Sequence, residues 1–169
     1  MACVFIGAGS NIKPDKYLTE ALKLLRAKVS LTGVSTFYWT EPINHKQEPL
    51  FCNGVFRIGT TLDPKTLKYT VLRKIETSLG RIRGEDKHAP RTIDLDILLY
   101  DNKVIREKDI IIPDPDITKR NFIAIPLFEL APDLILPDTG KSLKDVVFNM
   151  KIPKLKTASA ITDQLKKGQ

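Results

Sequence analysis

The order of patterns along the chain predicts an α+β fold. The expected architecture is an antiparallel sheet with helices on one face, in the order β-α-β-β-α-β with additions toward the C-terminal end. Three observations carry this. Two stretches with apolar residues at helical spacing each lie between strand-like runs. The middle two strand-like runs, 31–40 and 53–61, follow one another with only a loop between them. A further strand-like run, 93–100, comes after the second helical stretch.

Each element has a local reason. Residues 2–8 are apolar and bounded by glycine, the pattern of a first strand. Pro14 suits a first helical position, and Tyr17, Leu18, Ala21, Leu24 and Leu25 then follow helical spacing. Residues 31–40 are rich in β-branched and aromatic side chains, a second strand. Residues 41–50 contain two prolines, longer than most connections, and such loops are often functional. Residues 53–61 read as the third strand. Asp63-Pro64 is an N-cap followed by proline, and Leu67, Val71, Leu72, Ile75 and Leu79 continue that helix to a C-capping Gly80. In the strand that follows, Ile93, Leu95, Ile97 and Leu99 are expected to face the core. Asp101-Asn102 turns the chain into a partly extended 104–112, residues 120–130 are helical in part with Pro126 as an interruption, and 142–150 form a short helix. This order is the ferredoxin-like arrangement, expected to span 1–153 and to leave one sheet face free for ligands. From about Lys154 the chain is polar and lysine-rich, a peripheral or frayed tail.

Composition narrows the class. With 169 residues, 42% of them hydrophobic, the chain can bury one domain core. No segment approaches the roughly 20 apolar residues of a membrane span, and the N-terminus reads as a strand, not a signal peptide. Cys3 and Cys52 both fall in strands and read as two buried free thiols, which suits a cytoplasmic protein. A net charge of +7 suits a polyanionic ligand, either a nucleotide or nucleic acid.

The chemistry concentrates in residues 81–100. Asp94 and Asp96 stand two apart on a strand, so they share a face, about 6.5–7 Å apart at the backbone. Paired carboxylates repel unless a cation lies between them, and an all-oxygen pair suits Mg²⁺. The loop before them, 81–91, carries Arg81, Arg83, Lys87 and Arg91. Arginine binds phosphate through a planar fork, so a basic loop feeding an acidic strand fits phosphoryl transfer. The plainer alternative is an exposed face on which aspartate pairs with arginine. Gly7-Ala8-Gly9 lacks the third glycine of a dinucleotide fingerprint and is read as a tight turn that lets backbone approach a ligand.

The stretch from His88 through Pro90, Arg91, Asp94 and Asp96 to Leu99 resembles the signature of the 6-hydroxymethyl-7,8-dihydropterin pyrophosphokinases of folate biosynthesis. Gly9-Ser10-Asn11, residues 34–40, Asn53, Glu76, Arg120-Asn121-Phe122 and Pro126-Leu127-Phe128-Glu129 are similar in the same order, over roughly 2–140. The resemblance implies transfer of pyrophosphate from ATP to the hydroxymethyl group, with release of AMP. It implies two Mg²⁺ on Asp94 and Asp96, with Arg81 and Arg91 on the phosphates. It places ATP near Glu76, Arg83, Lys87, His88, Ile97, Asp114, Lys119 and Arg120, and the pterin near Thr40, Glu41, Ile43, Phe51, Asn53 and Phe122. The loops 41–50 and 81–90 are expected to close over the substrates. In two places the chain departs from the family: Asp114-Pro115 stands where many relatives carry histidine, and His88 where some carry tryptophan. The partners expected are small molecules acting on a monomer, without membrane or nucleic acid. An RNA-binding module of the same frame, with the first and fourth strands central, would use Phe5 for stacking but would set Asp94 and Asp96 against the phosphates. A two-metal nuclease is the other alternative.

Overall fold

The computed structural model describes residues 1–42, 48–82, 89–150 and 155–167. Strands β1 (Ala2–Ser10), β2 (Ser30–Val34), β3 (Tyr38–Thr40), β4 (Phe51–Thr60), β5 (Asp94–Tyr100) and β8 (Lys156–Thr157) form one sheet. Its order is β5-β1-β4-β3-β8, with β2 also on β4, and every pairing is antiparallel. The short β6 (Ile105–Glu107) and β7 (Ile110–Ile112) make a separate hairpin. The expected ferredoxin-like order is present, but β1 and β4 are the central strands and the acidic β5 ends the sheet.

Strand parity divides the molecule. Val4, Ile6 and Ala8 of β1, Phe56 and Ile58 of β4, and Leu95 and Ile97 of β5 share one core with the helices. Against it lie α1 (Pro14–Arg26) and the second helix, made of α2 (Pro64–Thr66), a π-helical turn (Leu67–Leu72) and α3 (Arg73–Ser78). Asp63 caps that helix by accepting from the amides of Lys65 and Thr66, at 3.0 and 3.1 Å, and Gly80 ends it at φ +77°. On the other face, Phe5, Val55, Leu98 and Leu99 pack on α4 (Asn121–Leu130) and α5 (Leu143–Asn149). The C-terminal additions therefore cover one half of the second face. The other half, over Gly7, Gly9, Asn53, Asp94 and Asp96, is open. Phe5 is buried beneath α4 and α5, away from any stacking partner in solution.

Several sequence expectations change here. The alternation of β5 breaks at a bulge: Ile6 pairs with Ile97 but Phe5 pairs with Leu99, leaving Leu98 extra. Leu99 thus turns to the second face, and Tyr100 to the first. The single strand 31–40 is two strands, because Thr36 and Phe37 bond to side chains outside the sheet. Gly7 and Gly9 lie inside β1, not in a turn. Helix α4 runs unbroken through a buried Pro126. Cys3 is exposed; only Cys52 is buried. The tail is not frayed over 155–167. There β8 extends the sheet and α6 (Ser159–Lys166) buries Ile161, Thr162 and Leu165. Its apolar residues recur at helical spacing, a signal that a count of lysines hides.

Candidate active site

Register builds the site row by row. Gly9 pairs with Asn53 on one side and Asp94 on the other, and Gly7 pairs with Val55 and Asp96. Asn53 and Asp94 are therefore two strand spacings apart on one face, about 10 Å. Glycine is required between them: a Cβ on Gly9 would stand 2.3 Å from Asn53 Oδ1. The Asn53 amide is fixed from the other side, its Nδ2 donating to Thr40 Oγ1 at 2.7 Å. A cavity of about 290 Å³ spans these rows. It is lined by Thr40, Glu41, Phe51, Asn53, Arg91, Asp94, Asp96, Asp114 and Phe122, nine of the residues singled out in the sequence.

The acidic end is tied down by arginines. Both oxygens of Asp94 are held, Oδ1 by Arg81 and Oδ2 by Arg91. Arg81 also donates to the Ile93 carbonyl at 2.9 Å and to Glu76 Oε1 at 3.2 Å. Glu76 is 1% exposed, and its Oε1 accepts the Leu95 amide at 2.9 Å. It fastens α3 to the start of β5 and orients Arg81; it is not a solvated helical carboxylate. Arg91 is positioned by Asn11, whose Oδ1 accepts the Arg91 amide at 2.7 Å, and its guanidinium lies 5.8 Å from the Phe51 ring centroid.

Asp96 differs. Its side chain reaches water through the cavity mouth, yet protein surrounds it on the other sides. That burial pushes its carboxyl up to about 7, and the charges of Asp94, Glu76 and Asp114 add to the effect, while Lys68 opposes it. Asp114 is raised as well, first by burial, and its Oδ1 accepts the Asp116 amide at 2.8 Å. Among the described residues no three His, Cys, Asp or Glu side chains form a ready-made metal cage. The donor set still fits Mg²⁺, which takes one or two carboxylates and fills its remaining positions with phosphate oxygens and water.

Other singled-out residues lie elsewhere. Ile97 points into the core on the opposite face. Lys119 and Arg120 border a second cleft, about 850 Å³, between the starts of α4 and α5. Ile43, Arg83, Lys87 and His88, and with them the centres of both expected closing loops, lie outside the described residues. Sequence reasoning gave no role to Asn11, Asp116 or Leu98. Asp116 had a signal, an acid two residues beyond Asp114 in a proline turn. Leu98 had one too, since alternation along the strand puts it on the same face as Asp94 and Asp96.

Residues 5–132 match the family model of the 7,8-dihydro-6-hydroxymethylpterin-pyrophosphokinase (HPPK). The chain belongs to this family. Family membership makes it an enzyme, a pyrophosphokinase of folate biosynthesis that uses ATP as co-substrate. The 2-amino-4-hydroxy-6-hydroxymethyldihydropteridine pyrophosphokinase of Haemophilus influenzae is 38% identical over 142 residues, covering 82% of this chain and 88% of that protein. The folic acid synthesis protein fol1 of Pneumocystis carinii is 37% identical, but the chain spans only 19% of its length. The wild-type HPPK-DHPS of Plasmodium falciparum shares the fold at a TM-score of 0.68 and 15% identity, over 87% of this chain and 44% of that one. No helix among the described residues is long and apolar enough to cross a membrane.

Proposed function

We propose that the cavity binds 6-hydroxymethyl-7,8-dihydropterin and that Asp94 and Asp96 serve the transfer of pyrophosphate to it from ATP. One observation carries this: an amide-and-aromatic wall (Thr40, Phe51, Asn53, Phe122) and an acidic pair, Asp94 held by two arginines and Asp96 beside it, line the same small cavity. At about 290 Å³ it lies at the small end of ligand pockets, about 300–1,000 Å³. A bicyclic ring fits; a nucleoside triphosphate does not fit beside it and must extend along the arginines.

Phe51 and Phe122 hold the ring by its faces, and Asn53, locked by Thr40, hydrogen-bonds its amide-like edge. The hydroxymethyl group then points toward Asp94 and Asp96. Those carboxylates would hold two Mg²⁺ ions, which when bound neutralise phosphate charge and lower the pKa of the hydroxyl. The substrate oxygen bonds to the β-phosphorus, the bond from that phosphorus to the α–β bridging oxygen breaks, and AMP leaves. Arg81 and Arg91 present their guanidinium N–H groups to the α- and β-phosphates. Glu76 keeps Arg81 and the first turn of β5 in place. Positioning and charge carry this chemistry without a strong side-chain base. The two unpaired cysteines suit a reducing cytoplasm, and a monomer suffices for this site.

The test is product analysis with ATP and Mg²⁺, with and without the pterin. AMP formed only with the pterin, one per pterin consumed and without ADP, is the expected result. Hydrolysis to ADP, or AMP formed regardless of pterin, overturns the reading.

A further inference from the structure

The segment 155–167 lies beyond the family match, which ends at residue 132, and makes contacts that bear on the cavity. At the gap between β2 and β3, Phe37 is held on both backbone groups by this segment. Its amide donates to Thr162 Oγ1 at 2.9 Å, and its carbonyl accepts the Ala158 amide at 2.8 Å. Strand β8 then pairs Thr157 with Tyr38 and Lys156 with Trp39. The neighbouring Thr36 is held from α4: its amide donates to Glu129 Oε2 at 2.8 Å, and Glu129 Oε1 accepts Lys166 Nζ of α6 at 3.1 Å. Glu129 ends one of the sequence matches noted above, and the reaction itself gives it no task.

What this grip positions is the pterin side of the cavity. Residues 38–40 are β3, paired with Asn53, Cys52 and Phe51 of β4. Thr40 supplies the hydroxyl that orients the Asn53 amide. The Phe37 ring lies against Gly54, where a Cβ would stand 2.5 Å from it, so Phe37 also sets the height of β4 beneath the cavity floor. A three-residue strand on a sheet has little hold of its own.

We propose that the β8–α6 segment is a clasp that positions the pterin wall, with Thr162 its key positioning residue, acting through Phe37 and β3 on Thr40 and Asn53. This rests on the assignment of Thr40 and Asn53 to the pterin. Thr162→Val keeps the shape but removes the acceptor, leaving the buried Phe37 amide unpartnered. Thr162→Ser keeps the hydroxyl.

The test measures steady-state constants for both substrates in the full chain, for wild type, Thr162→Val, Thr162→Ser and Asn53→Ala. The expected result is a KM for pterin raised about tenfold in Thr162→Val, an unchanged KM for ATP, and recovery in Thr162→Ser. Acrylamide quenching of Trp39, the single tryptophan, should rise in Thr162→Val well below its unfolding temperature. Equal changes in both KM values, or no change in either, overturn the clasp. If only Asn53→Ala raises the pterin KM, the clasp fails and the pocket assignment stands. If Asn53→Ala leaves it unmoved, the pocket assignment fails, and the Thr162→Val result still decides whether the segment governs pterin binding. Should Thr162→Val not fold, Lys156→Pro at the exposed β8 tests the same link, with a smaller shift of the same kind expected.

Discussion

Asp94 and Asp96 are the same residue, two apart, on the same face of one strand, and they live in opposite electrostatic regions. Around Asp94, Arg81 and Arg91 occupy both carboxylate oxygens, and Glu76 backs Arg81 from beneath. None of the ion pairs among the described residues involves Asp96, which faces Asp94, Glu76 and Asp114 and is pushed up to about 7, first by burial. The difference teaches a division of labour. Asp94 is paired with and orders the two arginines proposed to bind phosphate, whereas Asp96 is an unbalanced acid that the proposed cation would neutralise. Environments that push like groups apart mark distinct roles.

The largest effect expected is on turnover. Asp94→Ala removes the anchor of two arginines and, on the proposed function, a metal ligand, several kcal/mol of transition-state stabilisation. At about 1.4 kcal/mol per tenfold, kcat falls about 10³-fold. Asp96→Ala is expected to lower kcat about 10²–10³-fold, with the KM for pterin little changed, as steady-state kinetics will read. Equal KM and kcat effects in the two variants would blur the distinction between them. Glu76→Gln comes next. The amide keeps an acceptor for Leu95 but weakens the charge-assisted hold on Arg81, a loss of about 1.5 kcal/mol, or about tenfold in kcat/KM. The smallest change sharpens the electrostatics. Lys68 opposes the negative charge around Asp96 and Asp114. Lys68→Met should therefore shift the acid limb of the pH–rate profile upward by a fraction of a pH unit. A downward shift would contradict the arrangement.

Much of this was legible in the sequence, for stated reasons. Alternation over 93–97 gave the shared face of Asp94 and Asp96, and the Asp63-Pro64 cap and Gly80 gave the ends of the second helix. Of the nine cavity residues named in the sequence, Thr40, Asn53, Arg91, Asp94, Asp96 and Phe122 lie in the signature and its ordered matches, while Glu41 and Phe51 came from the family's pterin side and Asp114 as a departure from the family. What stayed hidden depends on long-range pairing. The bulge at Leu98 reverses parity without a glycine or proline to announce it. Gly9 looked like a turn because only the register shows Asn53 lying across it. The anchoring role of Glu76 was hidden because its partners, Arg81 and the Leu95 amide, come from later in the chain. The tail looked frayed because its four lysines outnumber the three apolar residues, Ala158, Ile161 and Leu165, that dock it. Of the two readings of the acidic pair, charge pairing with arginine describes Asp94, and none of the ion pairs among the described residues involves Asp96.

The decisive measurement compares the melting temperatures of Asp94→Asn and Asp96→Asn with wild type at pH 8 in EDTA. The carboxyl of Asp96 lies above its unfolded value of about 3.9, so its favourable contribution is full below that pH and is lost as pH rises through about 7. At pH 8 an uncharged Asp96→Asn should melt at or above wild type, and the advantage should shrink as pH falls through about 7 and vanish only below about 3.9. Asp94→Asn should melt below wild type at pH 8, because Arg81 and Arg91 lose their shared partner. Opposite signs are the expected result. A fall of similar size in both variants would mean that the two carboxylates do the same job, and would contradict the division between them.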